Sequence, residues 1–144
     1  IEAETQQQQR ARTAELEGQQ RQAAYEQRMA GLEAICQRVI PELTAFISQR
    51  GASAQRLIQA RDPGRFIFIA GGEGGGGFWS VVFSVNGLEY VVGHGGGYGG
   101  EPTFTERRLL SPEEAARKAI IDYKCREPEK LVERLINSID CLAR

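Results

Sequence analysis

The stretch that decides the fold is FWSVVFSVNGLEYVVG, residues 78–93, in which Asn86-Gly87 separates two largely apolar runs. Asn-Gly supplies two adjacent positions that tolerate positive φ, as a tight hairpin turn requires. Most residues on either side of the turn are β-branched or aromatic, which favours strands. We therefore predict an antiparallel hairpin of residues 78–85 and 88–93 with Asn86-Gly87 as its two-residue loop.

The period-2 alternation of the hairpin predicts one apolar face and one half-polar face. The predicted pairs of the apolar face are Val85 with Leu88, Phe83 with Tyr90, Val81 with Val92, and Trp79 with His94. The other face carries Ser84 opposite Glu89, so we expect it to be exposed to solvent or only lightly covered. Val85→Asp is therefore predicted to cost several kcal/mol, on the order of the stability of the domain, and Ser84→Asp much less.

Elements on both sides of the hairpin complete the fold prediction. Residues 66–70 are a short aromatic and β-branched run, which indicates a first strand. In Ser111-Pro112-Glu113-Glu114 the serine can cap a helix and the second glutamate can complete a capping box. Pro128 starts a second, amphipathic helix. The predicted class is α+β, with a long N-terminal helical arm, a three-stranded antiparallel meander and two C-terminal helices packed on one sheet face.

A helical seam precedes the sheet, with apolar residues at alternating spacings of four and three, as in heptads. This predicted helical interface comprises Tyr25, Met29, Leu32, Cys36, Val39, Leu43 and Phe46. Pro41 lies inside the seam and removes a helix hydrogen bond, so we expect a kink or a restart there. Gly51 predicts a helix stop, and Ser53 the cap of a further short helix.

Composition divides the chain into three parts. Residues 1–24 are rich in Gln, Arg, Glu and Ala and carry no apolar stripe, which indicates a polar helical or disordered extension. Residues 25–61 are the predicted amphipathic helical arm, and residues 62–144 the α+β domain. The seam could dock a partner helix, as in a coiled coil, or fold back on the sheet.

Two glycine-rich segments, residues 71–77 and 93–100, flank the hairpin. In a meander both lie at the end of the sheet opposite the Asn86-Gly87 turn, and we expect the helix beginning at Ser111 to start there too. The candidate ligand- or partner-binding residues at this end are Glu73, Trp79, His94, Tyr98 and Glu101. Glycine there permits close backbone approach and exposes N–H groups that can bind an anion.

The sequence predicts no catalytic residue, no metal site and no cofactor. Neither glycine segment is followed by the Lys-Ser/Thr of a phosphate-binding loop, and neither opens a helix as a dinucleotide fingerprint does. Residues 94–97, His-Gly-Gly-Gly, match a lipase oxyanion-hole segment, but there is no Gly-x-Ser-x-Gly nucleophile and His94 is the sole histidine. The three cysteines lack Cys-x-x-Cys spacing.

The net charge and the length of the apolar runs limit the kinds of partner that the chain can have. With 18 basic and 19 acidic side chains, the net charge of -1 disfavours a nucleic-acid partner, and no apolar run is long enough to span a membrane. We predict a non-enzymatic interaction or assembly subunit that binds other protein chains, as a homo- or hetero-oligomer, through its arm and its glycine-rich end. One alternative is a nucleic-acid-binding module, since the helix–strands–helix order is similar to that of double-stranded-RNA-binding domains. The other is a small-ligand-binding domain or enzyme at the His94 and Tyr98 end.

Overall fold

A computed structural model describes residues 5–95 and 100–144. The helical N-terminal part consists of α1 (Gln6–Phe46), a π-helical turn (Ile47–Gly51) and α2 (Ala52–Arg61). The strands are β1 (Ile67–Gly74), β2 (Gly77–Ser84), β3 (Gly87–Gly95) and β4 (Pro102–Leu109). The C-terminal part holds α3 (Pro112–Arg117), a π-helical turn (Lys118–Asp122), a 3-10 turn (Pro128–Lys130) and α4 (Leu131–Ala143).

The four strands form one antiparallel sheet in the order β1-β2-β3-β4, which confirms the α+β class. The prediction of three strands is wrong by one, because β4 is an edge strand whose side chains are exposed at every position except Phe104. An edge strand paired on one side tolerates polar residues on both faces. Its sequence, PTFTERRL, therefore lacks the apolar alternation by which a strand is predicted.

Helical structure continues from Gln6 to Arg61, with the π-helical turn joining α1 to α2. The predicted stop at Gly51 and cap at Ser53 are therefore wrong, and of the kink or restart expected at Pro41 the restart does not occur. Apolar residues on both sides of Pro41 pack into the same core, which offsets the lost hydrogen bond.

The hairpin turn lies at residues 85–86, so that Ser84 pairs with Gly87 and Phe83 with Leu88. Each residue of β2 therefore pairs with the residue of β3 two positions before the predicted partner. Because side chains alternate with a period of two, a slip of two residues leaves every side chain on its predicted face. The prediction of the faces therefore holds although the register does not.

The hydrophobic core lies between one face of the sheet and the helices. Phe83 of β2 is fully buried and meets Phe46 of α1 edge to face, with ring centroids 5.6 Å apart. Other buried members are Cys36, Val39, Leu43, Ile58, Val81, Ala116, Ile120, Leu131, Leu135 and Ile139. Residues on both sides of the predicted boundary at 61–62 thus share one core.

Candidate functional site

The two glycine-rich segments meet at one end of the sheet, opposite the hairpin turn. The first closes in a tight turn at Gly75 and Gly76, whose φ angles of 59° and 79° suit glycine. The backbone N–H of Gly95, at the end of β3, donates to the carbonyl of Gly76 at 3.4 Å. We call this rim the glycine end.

The predicted site residues at the glycine end lie on different faces of the sheet. Trp79 packs against the β1 backbone, where a Cβ added to Gly72 would lie 3.0 Å from its ring. Strand alternation places Trp79 and the exposed His94 on the helix side. Glu73 pairs with Phe78 and therefore lies on the opposite face. The arrangement does not bring His94 and Glu73 together.

Of the other two predicted residues, the structure describes only one. Glu101 is exposed just before β4, and Tyr98 lies outside the described residues. Within residues 5–95 and 100–144, no group of three or more His, Cys, Asp or Glu side chains could hold a metal ion. An open depression at this end is lined by Glu73, Gly74, Gly76, Gly77, Phe78 and Gly95. Four of these six lining residues are glycines, which leave backbone N–H and C=O groups uncovered by side chains.

α3 begins at the end of the sheet opposite to the one predicted. Its capping box is as predicted: Ser111 Oγ accepts from the N–H of Glu114, and Glu114 Oε1 accepts from the N–H of Ser111. However, β4 carries the chain back along the sheet, and the N–H of Leu110 donates to the carbonyl of Leu88 beside the hairpin turn. A double-stranded-RNA-binding layout needs a strand loop and the last helix start at one end. α3 therefore does not begin beside the glycine-rich segments, where the comparison with those domains placed it.

The hairpin part of the sheet face away from the helices is buried, which corrects the prediction that it is exposed to solvent or only lightly covered. Ser84, Glu89 and Val91 retain only 1%, 3% and 1% of their exposure. The side chains that cover this face are Phe66, Phe78, Phe104 and Arg107, which we call the aromatic cover. Since most of them come from outside the hairpin, the hairpin sequence alone does not reveal the cover.

Arg107 is held between two rings of the aromatic cover. Its guanidinium carbon lies 5.2 Å from the Phe66 ring centroid and 5.6 Å from that of Phe104. Phe104 also meets Phe66 and Phe78 edge to face, at 5.3 and 5.9 Å between centroids. Partly desolvated cation–π contacts are worth about 1–2 kcal/mol each. The cover therefore fastens β4 to the rest of the sheet.

Glu89 is buried beneath the aromatic cover and has a full set of donors. Arg107 Nη2 donates to its Oε2 at 2.9 Å and Nε to its Oε1 at 3.2 Å, while Ser84 Oγ and Asn86 Nδ2 also donate. A buried carboxylate is tolerated only with such partners. Among the described residues no buried side-chain nitrogen or oxygen lacks a partner. The network connects the hairpin turn to β4, and each of its polar side chains makes a hydrogen bond within it.

α1 divides into an exposed part and a docked part. Every residue from Thr5 to Arg28 is exposed except Gly18, which is half-buried. Burial begins at Met29 and is complete at Cys36. From here on we call residues 6–28 the helical arm, a different range from the predicted arm of residues 25–61, most of whose seam is buried in the core. At 1.5 Å per residue this helical arm is about 35 Å long.

The residues of the predicted helical interface fall on both sides of this division. The members buried in the chain's own core are Cys36, Val39, Leu43 and Phe46. The members with accessible surface are Tyr25, Met29 and Leu32. The C-terminal part of the seam packs against the chain's own core. Only the N-terminal end of the seam is accessible to a partner.

An ion pair fixes the point where α1 leaves the core. Arg117 of α3 donates through Nη2 to Glu33 Oε1 at 2.9 Å and through Nη1 to the other oxygen. Hydrogen bonds from Arg117 and Gln37 lower the pKa of Glu33 from its usual 4.5 to about 2. A lowered carboxylate pKa in the folded state adds stability above about pH 4.5, which is lost as the pH falls towards 2.

Together these features define an α+β protein with a four-stranded antiparallel meander, helices on one face, an aromatic cover on the other and a helical arm. Comparison with family models, with curated proteins and with solved structures finds no match for the chain. Among the described residues, no helix combines the length and apolar character needed to cross a membrane.

Proposed function

We propose that this chain is a non-enzymatic interaction or assembly subunit. Its helical arm docks a partner protein, and the glycine end offers a second contact surface. The observation that carries the proposal is the exposure of the arm, from Thr5 to Arg28, outside the core that the rest of α1 helps to form.

The arm has a defined helical start but no buried side. Thr5 Oγ1 accepts from the N–H of Gln8 at 3.1 Å, and Gln8 Oε1 accepts from the N–H of Thr5 at 3.0 Å. This capping box satisfies two helix-end donors. A helix without a packed stripe is nevertheless marginal in water, since most helical stability comes from tertiary burial. A partner that covers the arm would supply that burial.

The open end of the seam indicates what the partner is. Tyr25 and Met29 continue the docked seam by one helical turn, and the Arg28 guanidinium lies 5.4 Å from the Tyr25 ring centroid. Tyr25 and Met29 are two apolar side chains surrounded by glutamines and by charged residues of both signs. Such a surface is complementary to the apolar side of an amphipathic helix from another protein. The partner helix would cover Tyr25 and Met29 and leave the polar side of the arm in solvent.

Removing the arm should abolish partner binding without unfolding the protein. Residues 29–144 keep every buried residue of the core, so we expect this truncated chain to unfold cooperatively, much as residues 1–144 do. The measurement is affinity purification from the source extract, together with mass by light scattering, for both chains. We expect a partner or a larger mass with residues 1–144 only; identical recovery and mass for the two chains would contradict the proposal.

A matched pair of arm variants sharpens this test. Tyr25 and Leu16 are both exposed, but nine residues are two and a half turns, so they lie on opposite sides of α1. Tyr25→Glu should abolish the association, whereas Leu16→Glu should preserve it. Equal loss with both variants would mean that the seam does not define the docking surface.

A further inference from the structure

The outer edge of β4 is an open strand edge. At the other side of the sheet β1 lies beside α4, and Phe68 and Ile69 line a groove with Leu131 and Leu135. In the described part of the chain, only β3 makes extensive contact with β4. Strand edges with unpaired backbone groups pair readily with a strand from another chain.

The backbone groups that face outward from β4 can be identified from one hydrogen bond. The N–H of Leu110 donates to the carbonyl of Leu88 at 2.9 Å. In an antiparallel ladder, residues point their backbone groups towards the neighbouring strand at every second position. Arg108, two residues before Leu110, therefore bonds to β3, and the N–H and C=O groups of Arg107 and Leu109 point away from the sheet.

Only the first half of β4 carries features that protect an edge. Pro102 lacks an N–H, and the register with β3 shifts at Thr105, which gives a bulge. The second half, residues 106–109, reads Glu-Arg-Arg-Leu, and Leu109 is 65% exposed. Protected edges usually carry charges that repel a second strand, but here one acidic and two basic side chains lie beside an exposed leucine, so the charges of two copies can also attract each other.

We propose that β4 pairs antiparallel with β4 of a second copy of this chain, about a two-fold axis at Arg107. In this register the outward backbone groups of Arg107 bond to their counterparts across the axis. On the helix-side face, Glu106 lies opposite Arg108 of the second copy, and Arg108 opposite its Glu106. An axis at residue 106 or 108 would instead oppose two Glu106 or two Arg108 side chains, with no pair of opposite charges beside them. The charge pattern of β4 is thus self-complementary about Arg107, where Glu106 and Arg108, which lie 3.6 Å apart within each chain, would also face each other across the axis.

The two Arg107 side chains meet at the axis on the other face, but their charges are already compensated. Each guanidinium is paired with its own Glu89 and turned towards Phe66 and Phe104. The pairing uses few residues, so we expect a buried area below about 1,200 Å², the range of weak and transient interfaces. We therefore expect a dimer with a dissociation constant in the micromolar range. This surface is separate from the helical arm.

Charge reversal in the full chain tests the pairing by sedimentation equilibrium at about 100 µM, well above a micromolar dissociation constant. Residues 1–144 should form a dimer. Glu106→Arg alone and Arg108→Glu alone each place like charges in every facing pair, and each should weaken the dimer roughly tenfold or more. An equimolar mixture of the two variants should dimerise again, because every facing pair then combines opposite charges.

A backbone variant tests the same edge independently of charge. Leu109→Pro removes an N–H that points away from β3, so the intrachain ladder is kept and the dimer should be lost.

A monomeric wild-type chain at this concentration would overturn the inference. So would a dimer that survives Leu109→Pro and both charge reversals but is lost with Tyr25→Glu. That last result would assign self-association to the arm and leave the proposed function standing.

Discussion

Leu43→Ala should lower the free energy of unfolding by about 2–5 kcal/mol, whereas Leu16→Ala on the same helix should change it by less than about 0.5 kcal/mol. Leu43 is 0% exposed and belongs to the core, but Leu16 is 57% exposed on the helical arm. The first change therefore leaves a cavity and the second does not. Urea unfolding of both variants in residues 1–144, followed by circular dichroism, measures the difference.

Since the two substitutions are chemically identical, their ratio reports only the position along α1. Equal small effects would show that residues 36–46 do not belong to the core. A large effect at Leu16 would show that the arm packs on the domain, which would contradict the account of an exposed arm.

Ser84→Asp should cost about 3–5 kcal/mol, the range for leaving a buried charge without a partner. Ser84 Oγ donates to Glu89 beneath the aromatic cover, so the substitution would place a second carboxylate beside the first. Arg107 can neutralise only one of them. Chemical denaturation of the variant measures the loss.

Two control variants make this result specific to the buried network. Ser84→Ala removes one hydrogen bond without adding charge and should cost about 1–2 kcal/mol. Val85→Asp changes a half-buried turn residue and should cost less than Ser84→Asp. This order is the reverse of the one that the hairpin sequence alone predicts. If Val85→Asp proves the more damaging, the face under the aromatic cover is open to solvent.

Local signals in the sequence were sufficient to predict several features of the fold. The hairpin near Asn86-Gly87, the capping box at Ser111 and the buried stripe of the last helix depend on neighbouring residues only. The faces of the hairpin were predictable even with a register error of two residues, because that error preserves the alternation.

Other features depend on packing between distant segments, and these could not be predicted. β4 has no apolar alternation, because it is an exposed edge strand. Without β4, neither the aromatic cover nor the pairing of Glu89 with Arg107 could be inferred. The division of α1 into an exposed and a docked part could not be predicted either, because the seam from Tyr25 to Phe46 is continuous in sequence. Only the tertiary contacts show where the docked part begins.

The sequence was sufficient to predict that the first glycine-rich segment and the end of β3 lie at the same end of the sheet, but not which side chains lie together there. The meander brings both glycine-rich segments to one end of the sheet. Whether side chains converge there depends on the face that each strand position occupies, and Glu73 and His94 occupy different faces. The surfaces that we propose for function, namely the helical arm, the glycine end and the edge of β4, are recognised by their exposure.

Amide hydrogen exchange along α1 tests the central claim most directly. In the isolated full chain, the amides of residues 36–46 should exchange at the slow rates of the core, and those of residues 6–28 many times faster, since local stability follows buried contacts. Protection of the arm should rise only when a partner is bound. Equal protection along the whole of α1 in the isolated monomer would contradict the account.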